Sequence, residues 1–327
     1  MNMRPLNVLI IGCGNIAGAF DEHRSLNDLP VTHAGAFYRD ERFNIIACVD
    51  PDYQRRSVFM NRWDVASGFL SIDEVAGSHD VFDIISICSP TESHIHDLET
   101  AIQLSPKVIF CEKPISTSLF DAERLVNKCK ESGISLAINY TRRWDPDMLK
   151  LKADIQSDRY GQLRSIVGIY NKGILNNGSH MLDLLHMLIG SVEVVKAGSP
   201  VDDFFLDDPT IPMWLEGRKK LPIHLVCGHA DDYSIFEVKF IFSSGVLTME
   251  EGGMFWREQH VVDSDVFKGY QKLDNGEQKK GKYPYSMVCA VDNIYRSIYE
   301  DASLASTGES ALAAQRLCEK IKHLACN

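Results

Sequence analysis

The sequence predicts a two-domain α/β protein: an N-terminal doubly wound parallel sheet, then a C-terminal α+β domain on a mostly antiparallel open sheet. Three observations carry this. The chain has 327 residues, and at roughly 150 residues per domain that favours two domains over one. Residues 1–142 alternate short apolar runs with helical patterns, as strands joined by crossover helices do. Beyond Trp144-Asp145-Pro146 the strand patterns lengthen and alternate apolar with polar residues, which suits a sheet with one wetter face. The domains are expected at 1–142 and 143–327, with the final helix able to pack back on the first domain.

In the first domain, Asn7–Ile11, Asn44–Val49, Phe82–Cys88, Lys107–Cys111 and Ser135–Tyr140 are apolar or β-branched runs between polar or turn residues. Each reads as a strand buried on both faces. Between them, Ser93–Leu104 gathers Ile95, Leu98, Ala101 and Ile102 on one helical face. Ser118–Ser132 does the same with Leu119, Ala122, Leu125, Val126 and Cys129. Ser118 suits its N-cap, with Asp121 and Glu123 in the first turn. In the second domain Leu163–Tyr170, Ser234–Phe242 and Gly245–Glu250 read as strands, with Ser243-Ser244-Gly245 as a hairpin turn. His180–Ile189, about Met287–Asp301 and Glu309–Cys326 read as helices. Asp202–Pro212 and Asp274–Lys282 are polar, acidic or glycine-containing and read as exposed loops.

Composition narrows the function classes. A formal net charge of −11 repels phosphate backbones and argues against nucleic acid as a partner. No apolar stretch approaches the ~18 residues needed to span a bilayer, and Val8–Ile11 is too short for a signal core. Nine cysteines are scattered with no CxxC pair, as buried free thiols in a reducing, cytoplasmic setting would be.

The strongest local signal is Gly12-Cys13-Gly14-Asn15-Ile16-Ala17, which fits G-x-G-x-x-G/A. It follows the strand Val8-Leu9-Ile10-Ile11 and leads into Ile16-Ala17-Gly18-Ala19-Phe20, read as a helix start. That is the Rossmann context. Gly12 makes the tight turn, Gly14 lets the backbone approach a pyrophosphate, and Asn15 and Ile16 begin a helix whose N-terminus faces the anion. Val49-Asp50 ends the second strand. Asp50 can accept hydrogen bonds from an adenosine ribose and would repel a 2′-phosphate, so NAD is expected over NADP, although Arg55 and Arg56 close behind soften that preference. The acid normally lies about twenty residues past the glycines; the excess here is assigned to an inserted loop at about Asp21–Thr32.

Glu112-Lys113-Pro114 follows the strand Lys107–Cys111, and Ser89-Pro90-Thr91-Glu92-Ser93-His94 follows Phe82–Cys88. With the glycine turn, Arg143-Trp144-Asp145-Pro146 and Thr307-Gly308-Glu309-Ser310-Ala311, they resemble the glucose–fructose oxidoreductase, inositol dehydrogenase and MocA family. The resemblance implies that Ser89, Pro90, Thr91 and Glu112 lie on the cofactor side, and His94, near the cofactor cleft, is expected to take a packing or cofactor-side role with no share in proton transfer. It places Lys113 beside the nicotinamide and the substrate hydroxyl, where an ammonium orients the hydroxyl and stabilises negative charge on its oxygen. A cis peptide before Pro114 is also implied.

The family's second catalytic element is Asp-x-x-x-His at a helix start. Asn176-Asn177-Gly178-Ser179-His180 matches with His180 as the proton acceptor or donor and Asn176 in place of the Asp. A second register keeps Asp183 but meets Met187 where the His belongs; the first accounts for more of the segment. An Asp there stabilises an imidazolium, whereas Asn only hydrogen-bonds. His180, Asp183 and His186 spread across their helix and converge poorly for a metal, so no metal site is expected.

The resemblance implies reversible alcohol-to-ketone oxidation of a sugar, polyol or nucleotide sugar by a homodimer or homotetramer. Two other classes remain: a non-catalytic cofactor-binding regulator, and a hydrolase or eliminase in which NAD is oxidised and re-reduced within one cycle.

Overall fold

The computed structural model describes residues 4–78, 80–205 and 207–326. The chain forms two compact units. One comprises the residues up to Trp144 with Pro284–Leu312, the other Asp145–Tyr283 with the residues from Ala313 onward.

The first unit is built on a six-stranded parallel sheet. Its strands are β1 (Leu6–Ile11), β2 (Phe43–Val49), β3 (Ser67–Phe69), β4 (Ile84–Ile87), β5 (Val108–Cys111) and β6 (Ser135–Ile138), in the order β3-β2-β1-β4-β5-β6. The strand order reverses between β1 and β4. Gly12 and Ser89 therefore lie just beyond neighbouring strand ends at the switch point, where open α/β sheets bind ligands. β1, β4 and β5 are almost wholly buried, which is why they read as continuous apolar runs. β3 is short, and its Ser-Gly-Phe sequence carries no apolar run to announce it.

Helices α1 (His33–Tyr38), α2 (Tyr53–Trp63), α3 (Ile72–Ala76), α4 (His94–Gln103) and α5 (Leu119–Glu131) complete the crossovers. The Ser118 hydroxyl caps α5, accepting from Asp121 N at 3.2 Å.

One expectation is corrected here. Ile16–Phe20 does not begin a regular helix. It forms a turn and a short 3₁₀ segment, Ala19–Asp21. The helix resumes at α1, where His33 N donates to Ile16 O at 3.1 Å and Ala34 N to Ala17 O at 2.8 Å. Residues 18–32 thus leave the helix and return to it. Asp21 closes the excursion by accepting from Val31 N, Thr32 N and the Thr32 hydroxyl. The cofactor turn is therefore backed by one helical turn, and the anion would meet its individual amides more than a long helix dipole.

The second unit is built on a nine-stranded sheet. Its strands are β7 (Leu163–Tyr170), β8 (Glu193–Ala197), then, after the separate pair β9 (Val201–Phe205) and β10 (Asp208–Thr210), β11 (Met213–Gly217), β12 (Leu221–Cys227), β13 (Phe236–Phe242), β14 (Gly245–Glu250), β15 (Phe255–Asp263), β16 (Gln271–Leu273) and β17 (Glu277–Lys280). Pairing is antiparallel except between β7 and β12. β13 and β14 meet across Ser243-Ser244, with Phe242 opposite Gly245.

One sheet face carries Ile166, Tyr170, Ile223, Leu225, Val238, Phe240 and Met249 into a core shared with α6 (Pro146–Gln156) and α7 (Ser179–Ile189). Two segments expected as loops are partly strand: Asp202–Pro212 holds most of the β9–β10 hairpin, and Asp274–Lys282 holds β17. Their polar, acidic residues hide the strand pattern.

α8 (Ser286–Tyr299) belongs to the first unit, where Met287, Ala290, Val291 and Ile294 pack in the core with Phe43 and Trp144. α9 (Gly308–Ala325) ends the described chain. No helix is long and apolar enough to cross a membrane among the described residues.

Candidate cofactor and active site

β1 ends in Gly12, whose φ is +85° and whose amide donates to Val49 O at 2.7 Å. A Cβ here would lie 2.8 Å from the Cys88 carbonyl and from Ser89 N, so the tight turn needs glycine. A Cβ on Gly14 would meet nothing within 4 Å. Gly14 therefore leaves its backbone bare beside open space, as close approach of a pyrophosphate demands.

Asp50, at the end of β2, is buried. Its Oδ2 accepts from Cys13 N at 2.9 Å and its Oδ1 from Asp52 N at 2.8 Å. Arg55 reaches Oδ1 at 3.3 Å. The carboxylate thus braces the glycine turn from below while Arg55, half out in solvent, stands at its rim. Gly14, Asn15 and Arg55 line a cavity of about 330 Å³ with Gln54, Val58 and Trp63. Bare backbone, a strand-end carboxylate and an open, partly apolar cavity together fit a dinucleotide.

After β4, the Ser89 hydroxyl donates to Asp97 Oδ2 at 2.5 Å. Burial holds the Asp97 carboxyl above its ordinary range, with Ser89 pulling the other way. Thr91 opens a single 3₁₀ turn after Pro90. His94 is buried, with Nδ1 2.8 Å from Pro114 O and Nε2 3.0 Å from Ser89 O. It staples the loop after β4 to the segment after β5, which is a structural role.

Glu112 and Lys113 follow β5, and the Lys113–Pro114 peptide is cis. Glu112 Oε1 accepts from Asn139 Nδ2 at 2.6 Å and lies 2.9 Å from His33 Nε2. Glu112 Oε2 accepts from Lys113 N at 3.3 Å. Burial works against ionised Glu112, but His33, Asn139 and Lys113 together hold it below the usual carboxylate range. Three members of this cluster, His33, Asn139 and Ser86, whose hydroxyl lies 2.7 Å from His33 Nδ1, escape the sequence reading. The signal for His33 is Thr32, whose hydroxyl accepts from Gly35 N at 3.1 Å as the cap of α1. Nothing local marks the other two.

In the second unit, Gly173–Gly178 form a π-helical turn that runs directly into α7. Asn176 Nδ2 donates to Lys172 O at 3.0 Å, and half-buried His180 lies in the first turn of α7 just beyond. The β9–β10 hairpin grips this turn. Asp203 Oδ2 accepts from Lys172 N, Thr210 Oγ1 from Gly173 N, and the two Asp208 oxygens from Leu175 N and Asn176 N, each at 2.8 Å. Burial holds Asp208 above the usual carboxylate range, opposed by those two amides. Asp203, Asp208 and Thr210 are the residues of this site that the loop reading missed. Asp183 is buried in α7.

Residues 6–140 match the oxidoreductase family with an NAD-binding Rossmann fold. Oxidoreductase P35 of Formosa agariphila is 26% identical over 218 residues, 59% of this chain and 64% of that protein. The myo-inositol 2-dehydrogenase of Thermotoga maritima is 24% identical over 157 residues, 48% and 42% of the two chains. The chain thus spans less than two thirds of the length of these relatives. Among solved structures, the WlbA dehydrogenase of Bordetella pertussis, in complex with NADH and UDP-GlcNAcA, has the same fold. Its TM-score is 0.76 at 17% identity, over 99% of this chain and 97% of that one. The family match thus covers residues 6–140, where the glycine turn and the Glu-Lys-Pro after β5 lie, and the likeness of fold extends through the second unit.

Proposed function

We propose that the protein is an NAD(H)-dependent oxidoreductase that interconverts a secondary alcohol and a ketone on a sugar, polyol or nucleotide sugar. The observation that carries this reading is the switch point of the first unit. A ligand-ready glycine turn braced by Asp50 and the Glu112-Lys113 pair follow strands of one parallel sheet. The substrate class rests on the cyclic polyol and the nucleotide sugar in the names of the relatives.

When bound, a nicotinamide cofactor supplies the hydride acceptor or donor. Gly12 would make the tight turn, Gly14, Asn15 and Ile16 would hold its phosphates by backbone, and Asp50 would hold its ribose. A carboxylate in that place disfavours the 2′-phosphate of NADP, which supports NAD. The Lys113 ammonium orients the hydroxyl and stabilises charge on its oxygen. His180 takes or returns the hydroxyl proton. Asn176 supports it by hydrogen bonding alone, without the charge an Asp would supply.

The test follows nicotinamide absorbance with NAD or NADP against a panel of sugars, polyols and nucleotide sugars. Turnover is expected with NAD, and Lys113→Ala and His180→Ala should each lower kcat/KM by about a hundredfold or more. Silence across the panel, in protein shown separately to bind NADH, would sink the dehydrogenase reading. The uncharged Asn176 would then favour a cofactor-binding regulator.

A further inference from the structure

Behind Lys113 lies a polar cluster inside an otherwise apolar core. His33 is fully buried. Its ring stacks on Phe110 with centroids 4.3 Å apart. Nδ1 lies 2.7 Å from the Ser86 hydroxyl and Nε2 2.9 Å from Glu112 Oε1. Asn139 adds a second donor to the same oxygen at 2.6 Å. The other Glu112 oxygen takes the amide of Lys113 itself. Of the titratable groups near the ring, Glu112 contacts it directly, and Cys88 lies behind Ser86, whose hydroxyl is 3.7 Å from its sulfur.

Such clusters are poor devices for stability, since well-packed apolar side chains of similar volume often do as well or better. They do restrict geometry, because every member has a partner in a set direction. Here the direction matters. The backbone of His33 donates to Ile16 O, within the glycine turn. Its side chain grips the residue before Lys113. One residue therefore spans from the cofactor turn to the end of β5, across the core of the first unit.

From this we infer that His33 is a positioning residue, which through Glu112 sets where Lys113 stands relative to the cofactor turn. The inference rests on the dehydrogenase reading for what Lys113 then does. Residues 18–32 have a part in it, because their excursion allows α1 to resume with His33 facing β5.

The test measures Lys113 directly. Full-length protein, without substrate, is labelled with trinitrobenzenesulfonate, and the rate at Lys113 is read by peptide mass spectrometry. His33→Leu removes both ring contacts at similar volume, His33→Gln keeps a donor able to reach Glu112, and His96→Gln, on the exposed face of α4, is the control. His33→Leu is expected to change the Lys113 rate by about threefold or more and to lower kcat about tenfold with KM within about twofold. His33→Gln should recover most of both, and the control should match wild type.

If His33→Leu does not fold, Ser86→Ala takes its place, since it releases Nδ1. It should change the Lys113 rate beyond the spread between wild type and the His96→Gln control. Folded variants with lowered thermal stability but an unaltered Lys113 rate would overturn the inference and leave His33 a packing residue. A Lys113 response in protein that turns over no substrate supports the positioning and overturns the reading of the reaction. Wild-type kcat in His33→Leu with an unaltered Lys113 rate overturns the positioning and leaves the reaction standing.

Discussion

At the residue scale, His33 and Glu112 tie folding to pH. Burial by itself would lower the pKa of the imidazole. Cys88 and the Glu112 carboxylate outweigh that and raise it from 6.5 to about 10. A group whose pKa is raised on folding holds its proton more tightly in the native state. Its contribution is complete below the unfolded value and is lost as pH rises through the folded one. For His33 that window runs from pH 6.5 to about 10. Glu112, held below its ordinary 4.5, behaves oppositely: its contribution is present above that value and is lost as pH falls through the depressed one. Urea unfolding midpoints measured across the His33 window should therefore fall further in wild type than in His33→Gln. A gap between the two proteins that stays constant over this range would refute the assignment. The same pair shows why an isolated glance at Lys113 is too narrow, since its neighbour Glu112 is already committed to His33 and Asn139.

At the element scale, the turn between β1 and α1 carries the cofactor argument, and its two glycines do different work. Gly12 is confined by its left-handed backbone and by Cys88 and Ser89, whereas Gly14 faces open space. Gly12→Ala should cost about 1–3 kcal/mol of stability and abolish cofactor binding. Gly14→Ala should leave stability within about 0.5 kcal/mol yet weaken NADH binding about tenfold, because its methyl occupies the space the phosphates need. Thermal unfolding and NADH fluorescence titration read the two effects separately. Equal losses of stability in both variants would contradict the division. The β9–β10 hairpin makes a comparable point in the second unit. Three of its side chains accept amide hydrogens from the turn that leads to His180, so an acidic stretch that looks like idle loop fixes the backbone of the candidate proton-transfer segment.

At the scale of the whole molecule, the second-unit sheet bears on assembly. Val238, Phe240 and Phe242 face that unit's own core and are spent on folding. Any pairing between copies would use other side chains. We expect sedimentation velocity at micromolar concentration to give the mass of two or four chains. A single species of one chain mass would remove the oligomer from the reading.

What the sequence by itself determined is what local physics writes into neighbouring residues. Val8–Ile11 must be buried on both sides, Ser118 must cap, and Gly12 must turn. Asp50 must end a strand, and Lys113 must follow one. Each of these depends on backbone preference or on burial along a short run, so each is visible without knowing the fold. The tertiary structure alone decided the rest. It drew His33, Ser86, Glu112 and Asn139 into one cluster across sequence separations of 53, 79 and 27 residues. It turned Asp203 and Asp208 into a clamp on Lys172–Asn176, and it placed β12 parallel to β7 in an otherwise antiparallel sheet. A buried hydrogen bond has no periodicity. Its partners are chosen by which strand ends the sheet brings side by side, and that is settled only when the chain has folded.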